Sequence, residues 1–239
     1  MSTRFNRAVV IGSSGGIGRA LAAALSNQGA QVHALSRLGL ALDHQTRAGP
    51  IDVTNEASIA CAAASIGADG PIDIVIVATG LLHSATVFPE KSYRQLSPGS
   101  LDRYFAVNAI GPALIAKHFL PLLHPDQRSV FAVLSARVSS ISDNRLGGWY
   151  GYRASKAALN MIVKTLAIEL ARTRPSAVCV ALHPGTVDTE LSKPFQRGVA
   201  ADQLFTATTA AGHLLDIVAA LEPNDSGHCF AWSGSKIEP

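Results

Sequence analysis

The sequence predicts an α/β protein built on a mostly parallel sheet with helices on both faces. Three observations carry this. Strand-like and helix-like stretches alternate along the 239 residues. The run Ile72–Gly80, "IDIVIVATG", is apolar almost throughout, as expected for a parallel strand buried on both faces. A glycine-rich stretch, "GSSGGIG", separates the first strand-like run from the first helix-like one.

The elements follow in order. "RAVVIG" (Arg7–Gly12) is a short apolar run ending in glycine and reads as a buried strand. Ile17 to Gln28 is rich in Ala and Leu and reads as a helix stopped by Gly29. "QVHALS" and "GPIDV" read as the second and third strands. "TNEASIACAAASIG" reads as a helix with Thr54 as its N-cap. After the Ile72–Gly80 strand come a helix over Leu101–Leu123, a strand over Ser129–Ser135 and a helix over Gly151–Arg172. "AVCVALH" is a further strand, Asp202–Leu221 a further helix, and "GHCFAW" the last strand. No repeat, low-complexity segment or linker interrupts this, and one domain over residues 1–239 is expected.

Composition narrows the function classes. The formal charge is 20 − 17 = +3 with no basic run, so nucleic acid is not an expected partner. No apolar stretch approaches the length of a membrane span, and "MSTRFNRAVVIG" lacks a signal-peptide pattern, so a cytoplasmic protein is expected. Cys61, Cys179 and Cys229 are scattered without metal-ligand spacing; they read as small core residues in a reducing compartment, and no metal is expected.

Three stretches carry chemistry. "GSSGGIG" places Gly12, Gly16 and Gly18 between a strand and a helix, with Ser13, Ser14 and Ile17 among them. Glycines let the turn close and bring backbone N–H groups to a pyrophosphate, where the helix dipole favours negative charge. The second strand ends in Ser36 and Arg37, with no acid until Asp43. A carboxylate there would bind the 2′-hydroxyl of NAD, whereas a basic residue suits the 2′-phosphate of NADP. NADPH is therefore expected to be favoured over NADH. In "YGYRASKAALN", Tyr152 and Lys156 lie one helical turn apart on one face, while Tyr150 has only Ala154 at that spacing. A Tyr–Lys pair of this kind is common on amphipathic helices, and alone it specifies nothing.

Together these residues resemble the short-chain dehydrogenase/reductase family over essentially the whole chain. The Gly12–Gly18 loop matches the family's TGxxxGxG with Ile11 in place of Thr, "YRASK" its YxxxK, and "HPGTVDT" its PGxVxT. "VNAIGP" supplies Asn108, and "IDVT" the Asp52–Val53 pair assigned to adenine. The stretch from Leu134 to Asn160 further resembles bacterial C-factor-like members and their carbonyl-reductase relatives.

The resemblance implies seven parallel strands in the order 3-2-1-4-5-6-7. It implies hydride transfer between NADP(H) and a carbonyl or alcohol substrate, with Tyr152 as general acid or base. Lys156 would orient the cofactor and lower the Tyr pKa by roughly three, or about 4 kcal/mol, while Asn108 would hold a water on the proton path. Ala78, Thr79, Gly80, Pro184, Gly185, Val187 and Thr189 are implied cofactor contacts. A homodimer or homotetramer is implied through the helix that starts near Tyr152.

Two departures stand out. The family's NNAG is "VATG" here. Its Ser-Ser-x-x-Gly reads "SARVS", so Ala136 occupies the catalytic serine position. Ser135, Ser139, Ser140 or none of them supplies the hydroxyl; Ser135 is the candidate taken forward. Substrate contacts are expected from Leu82, His83, Trp149 and Phe195. The alternative to an enzyme is a non-catalytic NADP-binding signalling or regulatory protein on the same fold.

Overall fold

The computed structural model describes residues 5–42 and 46–239; the expectations placed on Asp43 and on the first four residues lie outside them. Strand β1 (Arg7–Ile11) is followed by α1 (Gly16–Asn27), β2 (Gln31–Ser36), β3 (Thr46–Pro50), α2 (Glu56–Gly67) and β4 (Ile74–Val77). Then come α3 (Pro98–Phe105), α4 (Gly111–Phe119), β5 (Ser129–Leu134), α5 (Tyr150–Thr173) and β6 (Ala177–His183). The chain ends through β7 (Thr186–Val187), β8 (Leu204–Phe205), α6 (Ala207–Ala220), β9 (Cys229–Ala231) and β10 (Lys236–Ile237).

Among the described residues the main sheet has eight strands, in the order β10-β9-β6-β5-β4-β1-β2-β3. All pairs are parallel except β9–β10. Seven parallel strands in the expected order are therefore present, and an antiparallel β10 is added at one edge. Along β5 the alternation of a strand sorts side chains between two cores. Phe131 and Val133 join the layer packed by Ile115, Phe119 and Leu159, whereas Val130, Ala132 and Leu134 join Leu21, Leu25 and Leu214 on the other face. The chain switches faces between β1 and β4, which opens the crevice at the carboxyl ends of the strands.

Several boundaries move. The third strand is Thr46–Pro50 rather than "GPIDV", because the ladder with β2 begins at Thr46↔Val32 and the chain turns after Ile51. That turn is set by Asp52, whose Oδ1 accepts from the Thr54 N–H and hydroxyl. Thr54 is thereby used up, and the N-cap of α2 is Asn55, accepting from Ser58 N–H. The last long helix begins at Ala207 with Thr206 as cap, not at Asp202. Residues 202–206 instead pass into β8, which pairs with β7 in a separate two-stranded sheet.

The helix expected over Leu101–Leu123 begins at Pro98, capped by Ser97, and is interrupted by a π-helical turn at Ala106–Ile110. Pro98–Leu122 is 25 residues long and contains an 18-residue window of mean hydropathy 1.3, so by length and composition alone it passes for a membrane span, contrary to the expectation from sequence. It packs on the sheet through Ile115 and Phe119, while Tyr104 packs with Leu82, Val87, Ala136 and Tyr152; all three side chains are fully buried.

Candidate active site

The first turn shows why glycines are needed. Gly12 has φ +92°, a left-handed conformation, and a Cβ there would lie 2.9 Å from the carbonyl carbon of Ala78. A Cβ on Gly18 would overlap the carbonyl oxygen of Gly12. No side chain caps α1 and no acid stands in its first turn, so its N–H groups and dipole are left for an anion. Thr79 adds a buried hydroxyl without a protein partner. These features fit a dinucleotide.

One cavity of about 720 Å³ brings together most of the expected residues. Ser14, Gly16, Ile17 and Gly18 line one end, and Ala78, Thr79 and Gly80 the β4 side. Ser135, Tyr152, Lys156, Pro184, Gly185, Val187 and Thr189 complete it. Gly12, Ser13, Ser36, Arg37, Asp52, Val53 and Asn108 lie outside this lining. Arg37 is close enough to Asp52 to help hold its carboxyl below the usual range, behind the larger effect of the Thr54 hydrogen bonds.

Helix α5 carries Tyr152 and Lys156. Tyr152 is 7% exposed and Tyr150 38%, so only the former faces the interior. Lys156 is 3% exposed and donates from Nζ to the Leu134 carbonyl at 2.7 Å. Burial pulls its pKa down to about 8, and burial pushes the Tyr152 phenol up to about 12. The expected lowering of the Tyr152 pKa by Lys156 is thus not seen in the protein alone, where desolvation dominates. His183, at the end of β6 and also in the cavity, is driven down to about 4 by burial and then by Arg137.

Asn108 sits in the π turn, a place where such irregularities often serve a site. Its Oδ1 accepts from Leu81 N–H, and its Nδ2 donates to the Leu81 carbonyl and to Ser155 Oγ. The side chain is therefore occupied as a clamp on the segment after β4.

Ser135 follows Val133 in the β5 alternation and points at α5. Its hydroxyl donates to Asn160 Oδ1 at 2.7 Å, and Asn160 Nδ2 donates to Ser139 Oγ. The Ser139 hydroxyl is in turn given to the Ala136 carbonyl, and Ser140 Oγ accepts from Asp143 N–H. Ala136 itself packs with Tyr152, Leu82, Val87 and Tyr104. The position beside the tyrosine thus holds a methyl group, and the Ser135 and Ser139 protons are committed elsewhere.

Sequence reasoning missed Asn160 and Glu90. Asn160 lies two turns beyond Tyr152 on the same face, so helical spacing carried that signal. Glu90 gave none, being brought to the start of α5 by the fold alone.

The end of the cavity beside Tyr152 is aromatic. Trp149 lies 5.0 Å from the Phe195 ring and 6.1 Å from the Tyr152 ring, centroid to centroid. His83 packs 5.6 Å from Phe195 and pairs through Nε2 with the Glu190 carbonyl. No group of three or more His, Cys, Asp or Glu suited to a metal occurs among the described residues.

A parallel sheet whose first strand turns through glycines into a helix, with a buried Tyr–Lys pair at the same edge, defines a Rossmann-type protein. A family model described as short chain dehydrogenase matches residues 6–200, and the chain belongs to that family. It is 31% identical over 169 residues to the C-signal protein of Myxococcus xanthus, covering 70% of this chain and 93% of that one. It is 30% identical to 1-hydroxy-2-glutathionyl-2-methyl-3-butene dehydrogenase of Rhodococcus sp. strain AD45, covering 92% and 93%. The NADPH-bound carbonyl reductase from chicken fatty liver superposes with a TM-score of 0.86 at 25% identity, covering 100% of this chain and 96% of that one.

Proposed function

We propose that the protein is an NADPH-dependent carbonyl reductase. The observation that carries this is the burial of Tyr152 and Lys156 in one cavity with the glycine-lined start of α1. The NADPH-bound neighbour and the dehydrogenase relative support it.

Ser14, Gly16 and Gly18 would hold the diphosphate and Arg37 the 2′-phosphate, with Thr79, Val187 and Thr189 along the cavity walls. Bound NADPH supplies the hydride. Tyr152, a neutral phenol near pH 7 in this buried setting, donates its proton to the carbonyl oxygen. Lys156 keeps two of its three N–H donors beyond the Leu134 bond, which suits the ribose hydroxyls. Asn108 holds the Leu81 backbone and, through Ser155, the first turns of α5. Ala136 leaves the substrate oxygen without the second hydroxyl donor; such donors are worth about 2.7–4 kcal/mol. The proton from Tyr152 therefore carries more of the work.

NADPH oxidation against a panel of ketones, aldehydes and quinones tests this reading. Turnover that Tyr152→Phe lowers by about 10²–10⁴ supports it. Tight NADPH binding without turnover would favour the non-catalytic alternative, which Ala136 and the similarity to C-signal motivate. We also propose a homodimer or homotetramer, because Ile110, Met161 and Ile168 expose apolar side chains on the π turn and α5. A monomeric mass in light scattering at micromolar concentration would refute it.

A further inference from the structure

We propose that Glu90 is a positioning residue: it caps α5 from outside the helix and so holds Trp149 and Tyr152 in place. The inference rests on the reading of Tyr152 as the proton donor.

The start of α5 is unusual. Its N-cap is Trp149, with φ +53°, the one positive-φ residue other than glycine among the described residues. Gly147 and Gly148 before it are also left-handed, at +62° and +66°. Helices normally begin at a Ser, Thr, Asp or Asn whose side chain takes one of the free N–H groups. Trp149 offers no acceptor, and no acid stands in the first turn. Two of the four free donors are met instead by one residue, 61 positions upstream of Gly151. The Glu90 carbonyl accepts from Trp149 N–H at 2.5 Å, and Glu90 Oε2 accepts from Gly151 N–H at 3.1 Å.

Glu90 is 3% exposed, and its Oε1 has no hydrogen-bond partner. No cation pairs with it among the described residues. A buried carboxyl oxygen without a partner carries a cost. A serine at position 149 would cap the helix more cheaply. Position 149 is instead given to an indole, which stands edge-on to both Tyr152 and Phe195. The left-handed backbone that aims this indole is held by the Glu90 carbonyl, and the turn bearing Tyr152 by the Glu90 carboxylate. Gly151 fits the same design: a Cβ there would run into the Tyr104 ring, and Tyr104 packs against Tyr152 at 6.3 Å. Losing the carboxylate would leave the Gly151 N–H without an acceptor and loosen the turn on which both aromatic rings depend.

The test uses the full chain with Trp232→Phe, which leaves Trp149 as the reporter tryptophan. Three quantities are read: Trp149 emission with acrylamide quenching, the Kd for NADPH, and kcat and KM for the fastest ketone of the panel. Glu90→Gln keeps an acceptor oxygen, so emission is unchanged and kcat stays within about threefold. Glu90→Ala red-shifts the emission and increases quenching. It lowers kcat by about tenfold or more, since small misplacement of a reacting group is costly, while the NADPH Kd stays within about threefold. A cap with a merely structural role would lower the melting temperature but leave kcat and the indole unmoved. Should Glu90→Ala not fold, Glu90→Asp, which withdraws the acceptor by one methylene, is expected to show the same red shift.

Parent-like emission and kcat in whichever of the Ala and Asp variants folds would overturn the proposal. Equal losses in the Gln and Ala variants would overturn it too, by making the charge the working part. The emission readout needs no turnover. If no carbonyl compound is reduced, the functional reading fails while the cap is still tested.

Discussion

Lys156→Met should make the cofactor-free protein more stable while destroying its activity. The lysine is buried, and its pKa falls from 10.5 in the unfolded chain to about 8 in the fold. Between those values the unfolded chain holds the extra proton, so stability rises with pH across the window and the full penalty is present below it. At pH 7 the penalty comes to about 3 kcal/mol, and at pH 9.5 to about 1.5 kcal/mol. Methionine has similar length and no charge, but it forfeits the bond to the Leu134 carbonyl, worth about 1 kcal/mol.

The net gain is then about 2 kcal/mol at pH 7, or roughly 4–8 °C in Tm at 2–4 °C per kcal/mol for a chain of this size. At pH 9.5 it should nearly vanish. Thermal melts of both proteins at the two pH values measure this directly. Repeating them with saturating NADPH should shrink or reverse the gain at pH 7, because the parent draws more stabilisation from binding. A variant that melts below the parent at pH 7, or a difference that does not change with pH, would refute the reasoning.

Tyr152→Phe should lower carbonyl reduction by about 10²–10⁴ with NADPH affinity kept, whereas Tyr150→Phe, at an exposed position, should change little. Ser135→Ala should cost about 1 kcal/mol of stability through its lost bond to Asn160, with kcat within about threefold; a larger fall in rate would place the hydroxyl at the substrate. Ala136→Ser should raise kcat by up to about a hundredfold if its new hydroxyl reaches the substrate oxygen, and an unchanged rate would show that it does not. NADPH should bind at least about tenfold more tightly than NADH and Arg37→Asp should reverse this; equal affinities in titration would show that Arg37 does not reach the phosphate.

What the sequence made legible follows from burial. Strands β1, β4, β5 and β6 are apolar on both faces, so short runs such as "IVIV" announce themselves. Strand β3, "TRAGP", lies at the sheet edge with polar residues, and its apolar neighbours Ile51 and Val53 belong to the turn. Strands β7 and β8 are two residues each, too short to show any period. The π turn leaves no mark in the hydrophobic pattern, because the grip of Asn108 on Leu81 depends on a partner 27 residues away. Tyr152 and Lys156 were legible from the helical repeat. The direction of the Tyr152 shift was not, since it depends on how deeply the fold buries the ring. The orientation of Ser135 was implicit in strand alternation once Phe131 and Val133 were assigned to the α5 face.

The two ends of the main sheet bear on the proposed oligomer. At one end β10 contributes only two residues, one of them the exposed Lys236. At the other, β3 presents an exposed Arg47 and closes on Pro50, which has no N–H to give. Short, charged or proline-bearing rims are poor templates for a strand from another molecule. The backbone of this sheet is thereby kept out of the business of association. In the proposed oligomer the contacts between copies would then fall to helix surfaces, whose side chains set partner and geometry, and substitutions along either rim should leave the solution mass unaltered.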